Sequence, residues 1–132
     1  VVKSLKNAVG TYDVLMCKKI ETGMELSKKD RKTAREIIEA GLQKEYAKGL
    51  FKSDSILTGW KNKTIGNSEA YHALYKQIAG FDKHIARRYD NMKGSTYLFI
   101  IAAQLNDGII SEDDLNGFPE EVKQAIIRIA SI

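Results

Sequence analysis

Tyr71, Leu74, Ile78, Phe81 and Ile85 follow one another at alternating steps of three and four residues, with Arg88 and Met92 in the next two places. That spacing sets them along one stripe of an α-helix, whereas a strand would repeat every second residue. It predicts a helix over about Ser68 to Met92, and the same step recurs along the chain. Val2, Leu5, Val9, Tyr12, Met16 and Ile20 predict a first helix over about Val2 to Met24. Ala34, Ile37, Ile38, Leu42, Tyr46 and Leu50 predict the buried side of a second. Ser27-Lys28-Lys29-Asp30 opens it as a hydroxyl cap with an acid three residues on. Gly41 and Gly49 fall on that buried side, where a missing side chain lets a neighbouring helix come close.

Between residues 52 and 67 the period fades. Asp54, Ser55, Gly59, Gly66 and Asn67 suggest a long irregular connection, with Trp60 expected to anchor it through Ile56, Leu57 and Ile65. Tyr97 to Ala103 is apolar on every side and predicts a central helix, preceded by Gly94 and a Ser95 cap and ended by Asp107-Gly108. Ser111 to Gly117 predicts a short helix. Pro119 suits the first turn of a last one, with Val122, Ala125, Ile126, Ile129 and Ala130 inward. The expected fold is all-α: a compact bundle of about five helices in a single domain over 1–132, with a long irregular connection after the second helix. The chain opens at Val1 without a methionine, which leaves open a longer chain upstream.

Hydrophobic residues make up 43% and charged residues 29%, with one proline, a balance that supports a folded core rather than disorder. The longest strongly apolar run, Tyr97 to Ala103, is too short to cross a bilayer, so no membrane insertion is expected. No secretory signal is legible, and Cys17 is the only cysteine, which removes intramolecular disulfides and thiolate metal clusters. A cytoplasmic setting is the expectation.

Little chemistry is legible. Asn106 to Asp114 looks like the second half of a calcium loop. The oxygen ligands such a loop needs at its first and third places would fall on Ala103 and Leu105, so a glycine turn and an acidic helix cap explain it better. Glu112, Asp113 and Asp114 would repel phosphates if that region were a DNA-reading helix. His72 and His84 are twelve residues apart on one helix, too far to share a metal, and no phosphate loop or nucleophile elbow is present. No cofactor, metal or catalytic residue is assigned. Glu45 stands out as a carboxylate inside an apolar stripe. It fits an acid catalyst, a partner for a Lys or Arg on the adjacent helix, or a group freed to solvent by fraying near Gly49.

Positive charge is the remaining signal. The net charge is +4, and the excess lies in residues 1–63. Lys28, Lys29, Arg31, Lys32 and Arg35 crowd the start of the second helix, against its dipole. Lys61 and Lys63 flank Trp60, and Lys83, His84, Arg87 and Arg88 form a second basic group. These eleven residues are the candidate binding residues. The leading expectation is a non-enzymatic interaction or regulatory module that uses its basic half against an acidic protein or a nucleic acid. A small enzyme, such as a hydrolase whose site assembles only in the fold, is the alternative. An oligomeric structural component, suggested by the heptad spacing from Tyr71 to Met92, is the third.

Overall fold

A computed structural model describes residues 25–132. The expected first helix and Cys17 lie outside the described residues. The described residues are all-α, as the periodicities predict, with four α-helices and no strand among them. They are α1 (Lys28–Lys61), α2 (Asn67–Tyr89), α3 (Tyr97–Asn106) and α4 (Glu120–Ser131). Two 3-10 turns, Gly94–Thr96 and Glu112–Leu115, precede α3 and α4.

The Ser27 hydroxyl caps α1, accepting the Asp30 backbone N–H at 3.0 Å. The long irregular connection is not there: α1 runs on to Lys61 and leaves only residues 62–66 before α2. The serines that obscure this stretch turn their hydroxyls inward on the helix itself. Ser53 Oγ donates to the Gly49 carbonyl and Ser55 Oγ to that of Phe51, each at 3.1 Å. A tight turn then stops the helix. The Thr64 N–H bonds the Gly59 carbonyl at 2.9 Å and the Lys63 N–H bonds that of Trp60 at 3.0 Å, with Lys63 left-handed at φ 60°. This is a Schellman stop built on lysine where glycine is usual. Trp60 therefore sits in the last turn of a helix and is partly exposed, and its indole N–H donates to Asn67 Oδ1 across the turn at 2.7 Å.

The helices gather into two compact units, residues 25–39 with 92–132, and residues 40–91. In the first, Ala34 and Ile38 of α1, Leu98 and Ile101 of α3, Leu115 and Ile126 are enclosed. Full burial of each large aliphatic side chain contributes about 1.5–3 kcal/mol. As its sequence predicts, α3 is buried on most sides, and its Gln104 Nε2 donates to the Ile38 carbonyl at 3.0 Å. Thr96 rather than Ser95 takes the cap position of α3. The expected short helix after Ser111 is a 3-10 turn, with the Ser111 N–H held by Asp114 Oδ2 at 2.8 Å. Pro119 precedes the first turn of α4, whose Val122, Ala125, Ile126 and Ile129 face inward.

The second unit is an antiparallel helical hairpin, residues 40–61 of α1 against α2. Its seam on α1 is Gly41, Glu45, Gly49 and Ser53, four buried residues at steps of four. The small seam residues leave room for side chains of α2. A Cβ built on Gly49 would lie 2.8–3.0 Å from three atoms of the Phe81 ring. The seam lies one residue round from the larger apolar residues. Tyr46 and Leu50, expected on the buried side, are exposed, as are Tyr71 and Ile78 of α2.

Candidate functional site

Glu45 is 4% exposed, and α2 supplies three partners for it. Its Oε1 accepts from His84 Nε2 at 2.7 Å and from Arg88 Nη1 at 3.0 Å, and its Oε2 accepts from the Tyr89 hydroxyl. A carboxylate oxygen only accepts, so His84 Nε2 is the donor in this contact. His84, Arg88 and Tyr89 lie within two turns of one helix, so the end of α2 presents three donors to a single carboxylate. The anomaly at Glu45 resolves as an ion pair with an arginine of the adjacent helix, extended by an imidazole and a phenol. Periodicity does not reveal the phenol, because Tyr89 lies outside the heptad stripe through Ile85 and Arg88.

The eleven candidate binding residues fall into three settings. Lys28, Lys29, Arg31, Lys32 and Arg35 are all exposed on the first turns of α1, in the first unit. Lys61, Lys63, Lys83 and Arg87 are exposed in the second unit. His84 and Arg88 turn toward Glu45, with side chains 38% and 13% exposed, so they serve the hairpin before any ligand.

The seam also organises charge that composition alone does not reveal. On α1, Lys44, Lys48 and Lys52 each precede a seam residue by one place. On α2, Lys76, Lys83 and Arg87 do the same relative to Gln77, His84 and Arg88. In antiparallel right-handed helices, residues displaced in the same sense from a shared seam face the same side. These six exposed cations therefore lie along one flank of the hairpin. Glu69, beside Ala70, is the one carboxylate in an equivalent place among the described residues. The clue is a lysine every fourth residue from 44 to 52, but it has meaning only once the seam is known.

Among the described residues no group of three or more His, Cys, Asp or Glu side chains is arranged to hold a metal ion. No helix among them is long and apolar enough to cross a membrane. No protein-family model, curated protein or solved structure matches the chain.

Proposed function

We propose that the protein is a non-enzymatic interaction module whose basic surface engages an acidic macromolecule, either an acidic protein or a nucleic acid. The observation that carries this reading is the flank of six exposed cations, Lys44, Lys48, Lys52, Lys76, Lys83 and Arg87. Cations four residues apart on a helix stand about 6 Å apart along its axis, so their fields add over a strip rather than at one point. Lys28, Lys32 and Arg35 supply a further exposed group on the first turns of α1.

The test is a fluorescence-anisotropy titration against a labelled single-stranded oligonucleotide and, separately, a labelled polyglutamate peptide. Wild type is compared with a Lys48→Glu/Lys52→Glu/Lys83→Glu variant and with a Lys28→Glu/Lys32→Glu/Arg35→Glu variant. Binding to one of the two probes should weaken as salt rises. For a nucleic acid, removing a cation that touches a phosphate should lower the logarithmic salt slope by about one. Equal binding of all three proteins to both probes, at every salt concentration, would defeat the proposal.

A second reading, a small hydrolase, is favoured by the Glu45–His84 contact. A carboxylate that fixes one imidazole nitrogen leaves the other oriented as a general base. Against it, Arg88 and Tyr89 bind the same carboxylate from within the hairpin, which is how a structural clamp is built. Hydrolysis of activated esters that disappears in His84→Gln while the fold is retained would reverse the ranking. Equal turnover by the two proteins would remove the hydrolase.

A further inference from the structure

The flank of the hairpin opposite its cations is mostly apolar, with Asp54 and Asp82 as its two carboxylates. Tyr46, Leu50 and Leu57 on α1 each follow a seam or half-buried residue by one place, and so do Tyr71, Tyr75 and Ile78 on α2. The displacement has the same sense on both helices, so the six side chains share one side, with Trp60 at the end nearest the turn. Most are far from covered: Leu50 is 67% exposed, Tyr71 71% and Tyr75 69%. Scattered exposed apolar residues are ordinary, but a row on both helices of a hairpin, broken only by Asp54 and Asp82, is a surface suited to contact.

We infer that this apolar flank is where a second copy of the chain docks, pairing two hairpins face to face about a two-fold axis. Area favours a second copy as the occupant. With aromatic side chains at roughly 200 Å² each, the exposed parts of these seven residues amount to on the order of 700–800 Å². A stable complex of standard size buries about 800 Å² on each partner. A two-fold pairing sets this row against itself and closes a four-helix arrangement in which apolar mostly meets apolar.

This inference rests on side chains other than the cations, so it stands or falls apart from the binding reading above.

The experiment is sedimentation equilibrium of the full 132-residue chain from low to high micromolar concentration, with Leu50→Glu and Tyr75→Glu alongside. Wild type should approach twice the chain mass. Each variant should weaken self-association roughly tenfold or more while keeping the wild-type helical circular dichroism. Should either variant lose its helical signal, Tyr71→Lys, at a side chain that is mostly solvent-facing, replaces it. A monomeric wild type over the whole range overturns the inference, as does a dimer that persists in the folded variants. A monomeric wild type whose variants melt at lower temperature also overturns it, and assigns the flank to a cover from within the chain.

Discussion

Replacing Glu45 with alanine should destabilise the hairpin by roughly 3–5 kcal/mol, the range observed when one member of a buried ion pair is removed. Few single changes in a small helical protein do as much, and the reason is the number of donors that share this carboxylate. Glu45 is 4% exposed, and it accepts from His84, Arg88 and Tyr89. Alanine removes the common acceptor of all three, among them a guanidinium that is itself only 13% exposed. At roughly 4–8 °C per kcal/mol for a unit of this size, the thermal midpoint should fall by more than about 10 °C. Urea unfolding followed by circular dichroism measures the loss. The combined change Glu45→Leu/Arg88→Leu should be milder than Glu45→Ala, because the charge leaves together with its partner. A midpoint in Glu45→Ala equal to that of wild type would mean that the carboxylate does not clamp the helices.

Gly49→Val should cost roughly 2–3 kcal/mol, in the upper part of the range for overpacking a close contact. In isolation the change would help, since glycine is the poorer helix former by several tenths of a kcal/mol. Here the first added carbon would already stand 2.8–3.0 Å from Phe81 ring atoms, and two further methyl groups follow it. The ring has little room to retreat, because it also meets Tyr46 edge-on at 6.4 Å between centroids and His84 at 6.1 Å. Pairing Gly49→Val with Phe81→Ala should restore part of the loss, a coupling that a double-mutant cycle reads directly. If Gly49→Val instead melts above wild type, helix propensity governs this position and the close approach does not.

The sequence disclosed most of the helices because each has an uninterrupted apolar step, and α3 and α4 appear with the buried faces their patterns predict. It failed at residues 52–61. Serine, threonine and glycine argue against a helix there. What holds the helix is the bonding of Ser53 and Ser55 hydroxyls to their own backbone and the company of α2, neither of which leaves a period in the chain. Glu45 was legible as an oddity but its partners were not, since they lie 39 to 44 residues further on. The largest misreading concerns which face is buried. Hydrophobicity placed Tyr46, Leu50, Tyr71 and Ile78 inside, whereas the hairpin closes on Gly41, Glu45 and Gly49, one residue round the helix. Small residues and one charged cluster outrank bulk there, and periodicity weighs only bulk.

That offset of one residue gives the hairpin a rival version of itself. Turning both helices by about 100° would bring the row of Tyr46, Leu50 and Leu57 toward that of Tyr71, Tyr75 and Ile78, burying more hydrocarbon than the seam now does but taking Asp54 and Asp82 in with it. It would also carry Glu45 away from Arg88, His84 and Tyr89. A polar contact that only one threading satisfies can select that threading against a greasier competitor, as a single buried polar side chain does in paired coils. Glu45 is in this sense a key, cut to fit one rotation of α2 and no other. The bulky row kept out of the interior is the row left on the surface, so the choice of threading and the supply of a sticky outer face are one decision.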